Sequence, residues 1–265
     1  MERIISFLTM TTGITFKRKK EIFVDKILDL IRQRNFQECE ELYFHLLNKE
    51  RLYYALLEEL LVSQSFFYRE RVDIDILIEY LRQRGGTHIS LLSLPCANGE
   101  EPYTIAMELM EEGIENFNIL AIDLNPRAIQ KAKIGRYQAR DVRNVPPSVL
   151  TKYFYKSGEW YEIKEQVKQK ITFVCGNLFE QKDIPFVFDA IFCKNLFIYL
   201  EDSYKMEALD IFSCWLRNEG LLFLSFSDYF KAHPCFDRIS NEYRSIYKKV
   251  GCHEKSRLYF KWRNG

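Results

Sequence analysis

The stretch from His88 to Met107 constrains this chain more than any other. Ile89-Ser90-Leu91-Leu92-Ser93-Leu94 is an apolar, strand-like run, and the short loop Pro95-Cys96-Ala97-Asn98-Gly99 comes next. Glu100-Glu101-Pro102-Tyr103-Thr104-Ile105-Ala106-Met107 then opens as a helix, with proline in the first turn, where no N–H partner is lost. A strand, a tight glycine loop and a helix start make the nucleotide-binding corner of a doubly wound α/β sheet. A corner built for pyrophosphate leaves its helix N-terminus free for an anion. Here Glu100 and Glu101 fill that place, which repels phosphate and suits a cofactor with hydroxyls and a positive charge. S-adenosylmethionine has both.

The chain divides into two unequal parts. Residues 17 to 62 read as helical, with Ile22, Phe23, Ile27, Leu30 and Ile31 recurring at helical spacing. From residue 88, strand-like runs alternate with helical ones. The expected strands are Ile89–Leu94, Asn118–Asp123, Ile171–Cys175, Asp189–Cys193 and Leu221–Phe226; the expected helices include Pro102–Met110, Pro126–Lys133 and Asp202–Trp215. That alternation predicts a mostly parallel, doubly wound α/β sheet covered on both faces. Tyr243–Lys249 and Leu258–Trp262 are both candidates for the strand that completes it. The expected division is a small all-helical domain over 1–64 and an α/β domain over 65–265.

Charge and cysteine usage exclude some classes. A net charge of +1 gives no global field toward nucleic acid or an anionic membrane. The seven cysteines contain no Cys-x-x-Cys pair, so they read as reduced thiols and not as a zinc site. No metal site and no membrane span are expected.

In an open α/β sheet, ligands sit beyond the carboxyl ends of the strands. The first strand leads into the Cys96–Glu101 loop. The second ends at Asp123, about 20 residues on, where a carboxylate can accept from ribose hydroxyls. The third runs into Gly176-Asn177-Leu178, where an Asn can meet an adenine edge. The fourth runs into Lys194-Asn195-Leu196, where a reacting methyl is expected. Blander roles exist for each: Asp123 as a helix N-cap, Asn177 as a turn residue. Upstream, Ser63-Gln64-Ser65-Phe66-Phe67-Tyr68-Arg69-Glu70 joins the two parts. Arg69 could sit in a solvated salt bridge, or over the pocket, holding a substrate carboxylate by two hydrogen bonds.

These segments together resemble the chemotaxis receptor (CheR-type) protein-glutamate O-methyltransferases. The resemblance rests on Ser65–Glu70, Cys96–Thr104, Ala121–Asn125, Gly135-Arg136-Tyr137, Asn177-Leu178 and Phe188–Tyr199, in family order. It implies a class I S-adenosylmethionine-dependent methyltransferase fold. It implies Arg69 and Tyr199 as the residues nearest the chemistry. It implies Ser63, Ser65, Arg69, Glu101, Asp123, Asn177, Leu178, Asn195 and Leu196 as the cofactor-binding set. It also implies cytoplasmic chemoreceptor helices as partners, without nucleic acid or membrane insertion, and a cytoplasmic location.

Some positions depart from the family pattern. Pro95 precedes Cys96, Lys194 stands for an Arg, and Ser225-Phe226-Ser227-Asp228 replaces a Gly-x-Ser-Glu segment. These departures keep a second reading open, a non-catalytic cofactor-binding signalling module. Residues 155 to 170 lack a Gly-rich hairpin, so no docking on a receptor's C-terminal peptide is expected.

Overall fold

The computed structural model describes residues 1–16, 20–48, 51–61, 63–86, 88–181, 187–230, 232–239 and 244–251. The chain begins with α1 (Glu2–Thr12), α2 (Lys20–Gln33), α3 (Cys39–Leu47), α4 (Arg51–Leu60) and α5 (Val72–Arg84). Next come β1 (Ile89–Ser93), α6 (Glu100–Glu111), β2 (Phe117–Asp123), α7 (Pro126–Ile134), β3 (Arg136–Gln138), α8 (Pro147–Tyr153), β4 (Phe154–Ser157) and β5 (Trp160–Ile163). The last part holds α9 (Glu165–Lys168), β6 (Ile171–Cys175), β7 (Phe188–Cys193), α10 (Asp202–Trp215), β8 (Leu216–Leu224), β9 (Phe236–Arg238) and β10 (Ser245–Lys249).

Seven strands form one sheet in the order β6-β2-β1-β7-β8-β10-β9. The first five run parallel, and β10 runs antiparallel to both its neighbours. Strand order reverses at β1, which pairs with β2 on one side and β7 on the other. The carboxyl ends of those strands therefore flank the crevice where such sheets bind ligands. This is the doubly wound, mostly parallel sheet that the strand pattern predicts.

Side chains alternate between two cores, as a pleated strand requires. Leu91, Phe192, Leu221 and Phe223 face one cluster, which α5, α6 and α7 cover. Leu92, Cys193, Leu222 and Leu224 face the other, which α10 covers in part. Among the described residues, no α-helix lies between β6 and β7 or between β8 and β9. The face left open there is filled by α1–α4: Leu8, Ile27, Leu46 and Leu57 share a cluster with Phe188 and Phe212. A fully buried Leu or Ile contributes roughly 1.5–3 kcal/mol. Surface pairs such as Arg3–Glu40, at 3.0 Å, contribute about 1 kcal/mol or less, so apolar burial holds these helices.

Several elements differ from expectation. α1 is an additional helix whose Ile4, Ile5 and Leu8 bury one stripe. β8 starts at Leu216 and pairs through an irregularity opposite Phe188–Ala190. Ser245–Lys249 is the strand beside β8, while Leu258–Trp262 lies outside the described residues. β3, β5 and β4 form a separate antiparallel sheet. Residues 154–163 do form a hairpin, turning at Gly158-Glu159 with Gly158 at φ 60°. Cys39, Cys96, Cys175, Cys193 and Cys214 are free thiols, but Cys235 is disulfide-bonded, against the expectation of thiols throughout. Among the described residues no helix is long and apolar enough to cross a membrane.

Candidate active site

The corner after β1 depends on Gly99, which caps α6 at φ 93°. A Cβ there would lie 3.0 Å from Ala132 Cβ and 3.1 Å from Tyr137 Oη, so both backbone and space require glycine. Successive residues on a helix point about 100° apart, and the two glutamates separate accordingly. Glu101 lines the cleft and accepts from Ser93 Oγ at 2.8 Å. Glu100 turns away, buried behind the loop, so the expectation of two carboxylates in the anion place is corrected to one. Burial raises the pKa of both, with Lys194 opposing the rise at Glu101.

Asp123 joins the tips of β1 and β2. Its Oδ2 accepts from the Ala97 N–H at 2.8 Å and its Oδ1 from the Asn125 N–H at 2.9 Å. The carboxylate still has acceptor capacity left for a ligand. Burial pushes the carboxyl up to about 6. The helix cap is Asn125, which accepts from Arg127 N at 3.0 Å and Ala128 N at 3.3 Å, so Asp123 is not spent on capping.

The segment before α5 straps over this corner. Asn98 Nδ2 donates to the Ser63 carbonyl at 2.9 Å, and Asn125 Nδ2 to Ser63 Oγ at 3.2 Å. Phe67 is fully buried, edge-on to Tyr137. Tyr68 turns outward, donating its hydroxyl to Glu108 at 2.8 Å. Arg69 lies over the Phe66 ring, 5.6 Å from its centroid. Among the described residues its guanidinium meets no carboxylate, unlike Arg71, which pairs with Glu108 at 2.7 Å.

The opposite wall comes from later strand tips and from α1. Asn177 lies in the cleft, but its amide donates to the Thr11 carbonyl and its Oδ1 accepts from Phe179 N at 3.2 Å. Its side chain is thus largely committed to the protein, which favours the turn role. Leu178, Asn195 and Leu196 line the same wall, and Tyr199 stands half-exposed at the rim. The Tyr199 carbonyl accepts from Thr15 N at 2.7 Å, tying the rim to the segment after α1.

Together these elements enclose a cleft of about 1090 Å³. Ser63, Ser65, Arg69, Glu101, Asp123, Asn177, Leu178, Asn195, Leu196 and Tyr199 all line it. Sequence reasoning missed Lys194 and the wall made by Thr12, Ile14 and Phe16. Lys194 is buried in ion pairs with Asp73 at 2.6 Å and Glu70 at 3.1 Å. Burial lowers its pKa, but Glu101, Asp73 and Glu70 outweigh that and raise it. In the sequence Lys194 is marked as a cation at a strand tip, in place of the family's Arg, with no role in the site assigned to it. With Lys194 neutralised, the cleft floor offers Glu101 and Asp123: acceptors for hydroxyls and an amine, and a field that suits a sulfonium. That donor set fits S-adenosylmethionine.

A family model described as "CheR methyltransferase, SAM binding domain" matches residues 63–244. The chain belongs to the CheR methyltransferase family. It is accordingly an S-adenosylmethionine-dependent methyltransferase. Chemotaxis protein methyltransferase 2 of Vibrio cholerae serotype O1 is 32% identical to it, over 85% of this chain and 84% of that protein. The chemotaxis protein methyltransferase of Campylobacter jejuni subsp. jejuni serotype O:23/36 is 27% identical, over 94% and 96%. That of Escherichia coli K12 is 27% identical, over 86% and 83%.

Proposed function

We propose that this methyltransferase esterifies glutamate side chains on the cytoplasmic helices of chemoreceptors. One observation carries the reading: a guanidinium, Arg69, lines the cofactor cleft without a carboxylate partner among the described residues. A cation held beside an acidic cradle, and left unpaired, is suited to an incoming carboxylate. The relatives' names supply the chemotaxis setting.

S-adenosylmethionine, when bound, supplies a methyl on a positively charged sulfur. A glutamate carboxylate is already ionised at neutral pH, with a reference pKa of about 4.3. The protein therefore needs no general base, and its work is alignment and desolvation. In this reading Arg69 orients the acceptor carboxylate by two hydrogen bonds, and Tyr199 borders the methyl path. Asp123 holds the ribose and Glu101 the amino acid end of the cofactor. Ser63, Ser65, Leu178, Asn195 and Leu196 shape the remaining walls, and Asn177 contributes through its backbone position. Residues 1–64 would serve as the receptor-facing helical part and 65–265 as the catalytic part, acting in the cytoplasm. The β4–β5 turn is two residues long with one glycine, so docking on a receptor's C-terminal peptide forms no part of the proposal.

The test is tritium transfer from methyl-labelled S-adenosylmethionine to chemoreceptor signalling fragments, followed by mild base. An ester releases volatile methanol. Base-stable label, or no transfer with cofactor bound, would reject glutamate esterification.

A further inference from the structure

β8 ends at Leu224, and the chain then turns back through Ser225-Phe226-Ser227-Asp228, closed by the Asp228 N–H donating to the Ser225 carbonyl at 2.9 Å. The turn buries the Asp228 carboxylate completely. The backbone N–H groups that meet that carboxylate come from the segment after β7. The Ile198 N–H donates to Oδ1 at 2.9 Å, and the Asn195 N–H donates to Oδ2. Ser225 Oγ also donates to Oδ2, at 2.7 Å, and it accepts from Asn195 Nδ2 at 3.2 Å. Asn195 itself is left-handed, at φ 60°, a backbone state that L-residues other than glycine rarely hold without local support.

Three donors, the Asn195 and Ile198 N–H groups and the Ser225 hydroxyl, point toward the carboxylate, and an ionised carboxylate supplies no proton in return. An asparagine in the same place would turn an N–H against one of the donors. Either the Ile198 N–H would then lose its acceptor, or the Asn195 N–H would keep only its longer contact to Ser225 Oγ, at 3.2 Å. The requirement is for an anion, in the way that successive backbone N–H groups in turns enclose anions. The loop so enclosed carries Asn195 and Leu196 on the cleft wall and leads directly to Tyr199 at its rim.

We propose that Asp228 is a positioning residue for methyl transfer: its buried carboxylate is an internal anion around which Asn195–Ile198 wraps, setting Asn195 and Leu196 against the cofactor and Tyr199 beside the methyl path. Asp228 does not line the cleft and acts only through the loop. This inference rests on the cofactor reading of the cleft.

The variants Asp228→Asn, Asp228→Glu and Ser225→Ala decide it, compared with the intact chain by calorimetry with S-adenosylhomocysteine and by steady-state methyl transfer. Losing one buried charge-assisted hydrogen bond predicts cofactor Kd about ten-fold higher in folded Asp228→Asn, with kcat falling as well. Asp228→Glu keeps the anion and recovers both to within about three-fold. Folded Asp228→Asn with Kd and kcat within about two-fold of the intact chain, or Asp228→Glu as defective as Asp228→Asn, overturns the proposal. Should Asp228→Asn not fold, Ser225→Ala reads the same linkage: a rise of about two- to three-fold in Kd supports it and an unchanged Kd overturns it. An intact chain that binds no cofactor overturns the underlying site instead, which separates the two failures.

Discussion

The backbone N–H of Ala97 donates to Asp123 at 2.8 Å, so the loop after β1 is held by the side chain that ends β2. One carboxylate thus shapes the corner and faces the cleft. Burial places its pKa at about 6, above the ordinary Asp value of 3.8. The consequences for stability and for binding have opposite signs. Between pH 4 and 6 the folded chain holds a proton on Asp123 that the unfolded chain has released. This group therefore adds stability below about pH 4 that is lost as pH rises through about 6. Cofactor hydroxyls need the ionised form, so affinity should rise across the same window. Calorimetry from pH 5 to 7 should show S-adenosylhomocysteine binding tighten, and Asp123→Asn should flatten that step while gaining relative stability toward neutral pH.

Arg69 tests the chemistry apart from the cradle. A two-pronged hydrogen bond to a carboxylate is worth a few kcal/mol, so Arg69→Ala should lose about two orders of magnitude or more in kcat/KM for the acceptor. Arg69→Lys keeps the charge but not the fork and should recover little. Asp123→Ala should instead act mainly on cofactor Kd. Initial rates varied in each substrate separate these effects; a fully active Arg69→Ala would remove the residue from the mechanism.

Lys194 answers three carboxylates with one ammonium. Lys194→Met would remove the 2.6 Å partner of buried Asp73, leaving it only Arg244 at 3.6 Å, and should cost about 3 kcal/mol of stability. Lys194→Arg keeps the charge and should cost much less. Urea unfolding midpoints would check this, and a Met variant as stable as the parent would show that the cluster is solvated.

Gly99→Ala should be destabilising at a single methyl. The residue sits at φ 93°, and its Cβ would press on Ala132 and Tyr137. A strained backbone of this kind costs about 1–3 kcal/mol. Thermal unfolding should show the loss, and cofactor affinity should fall with it because the loop also carries Ala97 and Glu101. A variant with unchanged melting and affinity would mean that the loop adapts.

The parallel sheet was legible because its strands are short apolar runs between turn residues; Ile171–Cys175 and the helix Asp202–Trp215 match expectation at both ends. The strand tips were legible for the same reason, since fixing the strands fixes the loops at their carboxyl ends. The β3–β5–β4 sheet was not, because strands of three or four residues with mixed exposure show no usable period. α1 carries its apolar stripe in Ile4, Ile5 and Leu8, short enough to pass for an irregular apolar stretch. Lys194 and Asp228 could not be read locally, because their partners Asp73 and Asn195 lie 121 and 33 residues away in the chain. Glu100 and Glu101 look equivalent in sequence and differ only once a helix phase is fixed.

Glu101 at the start of α6 and Asp123 at the end of β2 are proposed as a cradle for a sulfonium donor and not for a dinucleotide. Competitive calorimetry on the intact chain tests this most directly. S-adenosylmethionine and S-adenosylhomocysteine should each bind one-to-one, and NAD should give no heat and displace neither. Absence of binding by both sulfur nucleosides, or displacement by NAD, would contradict the account.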